Sequence, residues 1–220
     1  MCAGASTFEA LQAAGTKPSD RVGVVGVGGL GHIAIMFAKT MGCDVTAISS
    51  DASKLEDAMR LGAEEFRCTS DLAKRTINVW PAVLSRNYTF GPKDLIELPE
   101  SSPRPLSPID VLLITSNVVP DLEKYLPLLA RRATIVLMTI QQNPISIPYM
   151  PFVLPGHKII ASTEASHQNH LEMLDFVVKN RITPWVEKFP MTREGVAEAF
   201  AKLESGEMRY RGVLEGSDSI

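Results

Sequence analysis

Apolar and polar positions change period sharply between residues 21 and 39. Val22, Val24 and Val25 form a short β-type run, and Ile33, Phe37 and Met41 then recur at helical spacing with Lys39 off the stripe. Between the two periods stand Gly26, Gly28 and Gly31, at the G-x-G-x-x-G spacing. Strand, glycine turn and helix in that order are what a dinucleotide site requires. The first glycine permits a tight turn and the second lets the backbone approach a pyrophosphate. The third lets the helix lie close on the strand, with its N-terminal amides aimed at the phosphates. A buried strand–turn–helix without a ligand has the same periodicity. A membrane span over Val22–Ala38 is excluded, because five glycines and a histidine leave the run too weakly apolar.

The same reading extends along the chain. Ser6 and Glu9 have capping-box spacing ahead of a short helix Thr7–Ala14 that Gly15 can end. Lys17-Pro18-Ser19-Asp20 reads as a turn into the first strand. Gly42 closes the glycine helix, and Asp44–Ser50 is the second strand. Ser53 is placed to cap a helix Lys54–Leu61 that stops at Gly62, and Glu65–Thr69 is a third strand. This β-α-β-α-β order is the mononucleotide-binding half of a doubly wound parallel sheet, an α/β Rossmann fold.

Regularity lapses from Ile77 to Ser107, where Pro81, Pro92, Pro99, Pro103 and Pro105 accumulate. A functional lid, an ordered insertion and a disordered excursion all fit; composition favours a mostly irregular surface insertion. Asp110–Thr115 then reads as a strand buried on both faces, followed by a helix Asp121–Ala130 with Pro120 suited to its first turn. Strands follow at Ala133–Thr139 and Lys158–Ser162. Leu171, Leu174, Val177 and Val178 share a helical face that Asn180 can terminate. Short strands Trp185–Phe189 and Tyr210–Leu214 flank a helix Arg193–Ser205, which turns Val196, Phe200 and Leu203 inward and ends at Gly206. The division expected is a dinucleotide-binding domain over 1–166 and a smaller unit over 167–220.

Composition narrows the function classes. The formal net charge of −3 supplies no basic field, so nucleic acid is not an expected partner. Three scattered cysteines, Cys2, Cys43 and Cys68, fit a reducing compartment better than a disulfide framework. The first residues, MCAGASTFEALQ, lack a basic n-region and an apolar h-region. A cytoplasmic location without membrane association is the expectation.

Several ordered blocks carry a resemblance: MCAGASTFEAL, GVVGVGGLGHIAIMFAK, ISSDASK, LEKYLPLL, EMLDFVVKNRITPWVEKFPM and RYRGVL. Together they resemble the medium-chain dehydrogenases, specifically the cinnamyl-alcohol-dehydrogenase-like zinc alcohol dehydrogenases, over most of the chain except roughly 77–107. The resemblance implies a Rossmann domain inserted into a catalytic lobe, NADP(H) as cofactor, a catalytic zinc, and an alcohol or aldehyde as substrate. It also implies that the first half of that lobe is missing here, and that residues 167–220 are its C-terminal part. Dimerisation through the edge strand at Lys158–Ser162 is implied as well, giving a homodimer.

The resemblance also assigns residues. Gly26, Gly28, Gly29, Leu30 and Gly31 correspond to the pyrophosphate-binding turn. Ser49, Ser50 and Lys54 correspond to the residues that hold a 2′-phosphate in NADP members. No acid occupies the ribose-reading position itself, although Asp51 departs from the pattern. Taken alone, Ser49 and Ser50 also suit a strand end, and Lys54 a solvated position. Thr115 and Ser116 match a loop bordering the cofactor, Thr139 and Ile140 backbone facing the nicotinamide, and Arg211 a basic residue reaching the pyrophosphate. Cys2 matches the third catalytic zinc ligand. One thiolate cannot complete a site that needs three protein ligands, so zinc is not expected to be held by this chain alone. None of the four histidines (His32, His157, His167, His170) falls in a metal-ligand pattern, and His167 and His170 are expected to cap their helix. The family's G-S-x-x-G-S is here Ala161-Ser162-Thr163-Glu164-Ala165-Ser166, without its glycines. The expectation is an NADP(H)-dependent oxidoreductase of the alcohol dehydrogenase/aldehyde reductase type. A non-catalytic nucleotide-binding or regulatory subunit and an incomplete gene product stand as alternatives, and no catalytic side chain is assigned.

Overall fold

The computed structural model describes residues 1–70 and 108–216. In chain order the elements are α1 (Cys2–Ala13), β1 (Arg21–Val25), α2 (Gly31–Thr40), β2 (Asp44–Ser49), α3 (Leu55–Leu61), β3 (Glu65–Cys68), β4 (Ile109–Ile114) and α4 (Leu122–Tyr125). They continue with β5 (Leu129–Leu137), α5 (Tyr149–Val153), β6 (Lys158–Ala161), α6 (His167–Asn180), β7 (Val186–Pro190), α7 (Arg193–Glu204) and β8 (Arg211–Glu215). The expected insertion at 77–107 lies outside the described residues.

Six strands form one parallel sheet in the order β3-β2-β1-β4-β5-β6. The order reverses between β1 and β4, paired in parallel from Val22↔Val111 to Val25↔Ile114, so the sheet is doubly wound. Alternation along the strands sends side chains to two cores. Val22, Val24, Val111 and Leu113 meet Ile33 and Phe37 of α2, Ala58 and Leu61 of α3, and Phe8 and Leu11 of α1. On the opposite face Val25, Ile48, Leu112 and Ile114 meet Leu122 and Tyr125. Gly23 is required on that second face, because a Cβ there would lie 2.8 Å from the methyls of both Ile109 and Leu112.

Where local signals and packing disagree, packing decides the element boundaries. The first helix begins at Cys2 rather than Thr7, and the Ser6–Glu9 capping box does not form. Ser6 is buried within the helix, and the Thr7 hydroxyl donates to the Ala3 carbonyl at 2.6 Å. Small residues at the start let this helix press on α6; a Cβ at Gly4 would stand 3.2 Å from the Met173 sulfur. The helix expected over 121–130 is four residues of α4 and a 3-10 turn at Leu126–Leu128. Pro127 cannot donate the next helical bond, so Leu129 and Ala130 join a longer β5. Pro120 precedes α4, whose cap is Asp121.

The C-terminal segment is a parallel pair, β7 and β8, with α7 between them. Phe200 and Leu203 do not turn inward; they are 60% and 59% exposed. On α6, Met173 is the buried residue, with Leu174, Phe176 and Val177 packed behind it, whereas Leu171 and Val178 face outward. A two-stranded sheet is too narrow to cover both faces of its helix. His167 and His170 both lie within α6, which Ser166 caps by accepting from the Asn169 amide at 3.1 Å. The helix stops at Asn180, with Arg181 in the left-handed conformation.

Candidate functional site

A cleft of about 700 Å³ opens at the C-terminal ends of β1, β2 and β4, where the strand order reverses. Its floor is the glycine turn. Gly26 has φ +95°, and a Cβ there would meet the Ser116 backbone at 3.0 Å. A Cβ on Gly31 would lie 1.8 Å from the Gly26 carbonyl oxygen, so α2 can sit this close only with hydrogen at that position. Gly28 faces nothing within 4 Å and leaves its backbone open to a ligand. The Thr115 hydroxyl, 2.9 Å from both the Val25 and Gly26 carbonyls, ties β4 to the turn. The turn is also held from inside α2. His32 is fully buried, with its Nδ1 3.0 Å from the Gly28 carbonyl and its Nε2 without a partner. Donation from Nδ1–H fixes the neutral tautomer, and burial pushes the imidazole pKa down to about 4.

One wall is the end of β2. Ser49, Ser50, Asp51 and Lys54 all line the cleft. Lys54 is not a solvated lysine; it is 8% exposed, with its ammonium 5.0 Å from the centre of the Tyr210 ring. Burial pulls its pKa below the usual lysine value, and the charge of Arg209 pulls the same way. Asp51, rather than Ser53, caps the short turn Ala52–Lys54. The Ser53 amide and hydroxyl donate to its two carboxylate oxygens, each at 2.8 Å. Those bonds hold the Asp51 carboxyl below its ordinary pKa.

The opposite wall is the loop after β4 (Thr115, Ser116, Asn117, Val118), and the C-terminal segment adds Met208 and Tyr210. Arg211 is exposed and lies against the turn: its guanidinium comes within 3.1 Å of where a Gly29 Cβ would stand. The cleft therefore gathers Gly26, Gly28, Gly29, Ser49, Ser50, Lys54, Thr115 and Ser116. Leu30 precedes α2 as its backbone cap. Thr139 and Ile140 follow β5 and do not line the cleft; Ile140 is 88% exposed.

The overall arrangement has known counterparts. The zinc-binding dehydrogenase profile matches residues 29–179. The chain belongs to the zinc-binding dehydrogenase family. Among its relatives, cinnamyl alcohol dehydrogenase 2 of Rauvolfia serpentina is 32% identical over 223 residues, covering 100% of this chain and 54% of that protein. NADP-dependent alcohol dehydrogenase C 1 of Mycolicibacterium smegmatis is 29% identical over 215 residues, covering 98% and 53%. The structure of a cinnamyl alcohol dehydrogenase from Sorghum bicolor superposes with a TM-score of 0.78 at 28% identity, covering 97% of this chain and 53% of that one. The chain thus spans about half the length of the relatives it matches.

The described residues fit a dinucleotide and do not bring together the ligands of a zinc ion. The glycine cradle, the paired serines and a buried lysine suit an anionic nucleotide. Cys2 is exposed, with its sulfur 3.9 Å from the Ser6 hydroxyl. Among the described residues no three His, Cys, Asp or Glu side chains converge as metal ligands. No helix among them is long and apolar enough to cross a membrane.

Sequence reasoning missed Tyr210, His32 and Asp57. The Tyr210 hydroxyl donates to Asp57 at 2.6 Å, and its ring stacks on His32 with centroids 5.2 Å apart and planes 17° apart. His32 carried a local signal, its four-residue spacing from Gly28 ahead of an apolar helix. Tyr210 carried none, because the partners that place it in the cleft, His32, Lys54 and Asp57, are more than 150 residues away.

Proposed function

We propose that this chain binds NADP(H) in the cleft and serves an oxidoreductase of the alcohol dehydrogenase/aldehyde reductase type, with a small alcohol or aldehyde as substrate. Residues 1–166 act as the cofactor domain and 167–220 as part of the catalytic lobe. The observation that carries the proposal is the end of β2. Ser49, Ser50 and a buried Lys54 face the cleft, while the adjoining carboxylate, Asp51, is engaged by Ser53. Hydroxyl donors and a partly desolvated cation complement a 2′-phosphate, whereas an acid at the strand end would have favoured free ribose hydroxyls.

When bound, NADPH supplies the hydride. The chain's own contribution is placement. Open backbone at Gly28 receives the pyrophosphate, and Arg211 beside Gly29 adds charge to that end of the cleft. Thr115 and the buried His32 keep the turn from relaxing, so little reorganisation is needed on binding. No chemical step is assigned to zinc, because Cys2 by itself offers one ligand of the three required. That isolation favours a second reading in which this chain binds nucleotide without turning substrate over. Edge strand β6 is the proposed seam of a homodimer.

Calorimetric titration of the chain with NADPH and NADH tests the proposal. NADPH should bind at least tenfold more tightly, and Lys54→Ala should remove most of that margin while leaving NADH affinity nearly unchanged. A folded protein that binds neither nucleotide would overturn it. NADPH binding with no aldehyde reduction, with or without zinc, would select the second reading.

A further inference from the structure

Lys54 reaches the cleft from the turn after β2, but what holds it there comes from the other end of the chain. Tyr210, immediately before β8, is 3% exposed and touches three charged groups and a histidine. The Lys54 ammonium lies 5.0 Å from its ring centre and the Arg209 guanidinium 5.8 Å. Its hydroxyl donates to Asp57 Oδ2, which Arg209 also meets at 3.2 Å. Its ring stacks on His32, the residue that holds the Gly28 carbonyl. The backbone is anchored too, since the Tyr210 amide donates to the Trp185 carbonyl at 3.3 Å.

We infer that Tyr210 is a positioning residue for 2′-phosphate recognition: its ring is the platform that holds the Lys54 ammonium in the cleft. This rests on the reading of the cleft as an NADP(H) site. The physical reason is entropic and electrostatic together. A free lysine samples many rotamers and would have to give them up to meet a phosphate. An ammonium resting on an aromatic face is already confined and remains attracted to the ring's negative face. Asp57 holds the plate by its hydroxyl, His32 by its stacked ring. The plate belongs to the C-terminal segment, so discrimination between the two nucleotides depends on residues far from the glycine turn.

The test is the ratio of NADPH to NADH affinity in wild type, Tyr210→Phe and Tyr210→Leu, each also in a Lys54→Met background. Tyr210→Phe keeps the platform and should change the ratio less than about threefold. Tyr210→Leu should lower the ratio of NADPH to NADH affinity about tenfold and have no further effect on that ratio once Lys54 is methionine. An unchanged ratio in Tyr210→Leu, or an equal loss in the Lys54→Met background, overturns the inference. A loss of both affinities together identifies a merely structural role and also overturns it. Should Tyr210→Leu fail to fold, the wild-type nuclear magnetic resonance spectrum decides. Upfield ring-current shifts of the Lys54 ε-methylene protons are expected, and their absence overturns the inference. A wild-type protein that prefers NADPH while Tyr210→Leu keeps the ratio sinks only this inference; one that binds neither nucleotide sinks the NADP(H) reading beneath it.

Discussion

Acidification should destabilise this protein through His32, and the size of the effect follows from its burial. The imidazole titrates near 6.5 in an unfolded chain and at about 4 in the folded one. Between those values the unfolded state carries a proton that the folded state excludes, so stability rises with pH across the window and is fully present above the unfolded pKa. The sign is that of a depressed histidine: stability is lost as pH falls from about 6.5 towards 4. Linkage puts the loss at about 2 kcal/mol by pH 5 and about 3 kcal/mol in full. The assay is urea unfolding at a series of pH values from 8 to 5, run in parallel on wild type and His32→Gln. Burial also lowers the pKa of His157, so the difference between the two proteins, not either curve alone, isolates His32. Wild type should lose about 2 kcal/mol more than the variant over that range. Parallel curves would refute the reasoning, since they would mean that His32 is charged in the folded state or reached by water.

Three further outcomes follow from the geometry of the cleft. Gly31→Ala should cost about 3 kcal/mol or more, because its methyl would lie 1.8 Å from a backbone oxygen that α2 cannot leave without unseating the turn. Gly28→Ala meets no atom within 4 Å, so its urea midpoint should hold while NADPH affinity in calorimetry falls more than about tenfold; normal affinity would show that no phosphate approaches there. Asp51→Asn keeps an oxygen for the Ser53 amide and removes a charge from the cleft wall. NADPH affinity in the same titration should rise roughly fivefold with NADH affinity unmoved.

The parts of the fold legible in the sequence are those whose causes are local. The change from β-type to helical period around Gly26 and Gly31 located β1, the turn and α2, because each glycine answers a constraint set within a few residues of itself. The apolar runs of β4 and β5 were legible for the same reason, since a strand covered on both faces needs no polar alternation. What escaped was decided at a distance. The start of α1 depends on Gly4 meeting Met173, a contact no capping box anticipates. Asp51 and Ser53 are both good caps, and the end of β2 at Ser49 chose between them. Pro127 is a local signal against a long helix, since it cannot donate a helical bond. In the site, the residue types at the end of β2 were readable from family likeness, whereas the burial of Lys54 required Tyr210 to be in place.

The bond from Tyr210 to Asp57 joins residues 153 apart, and it closes the cleft with the last described strand. During synthesis the six-stranded sheet is therefore fully translated before the wall that Tyr210 provides exists. On the proposed reading, NADP(H) meets its complete site only after that closure, so it stabilises the finished molecule by mass action, and the early steps of folding rest on the apolar strands.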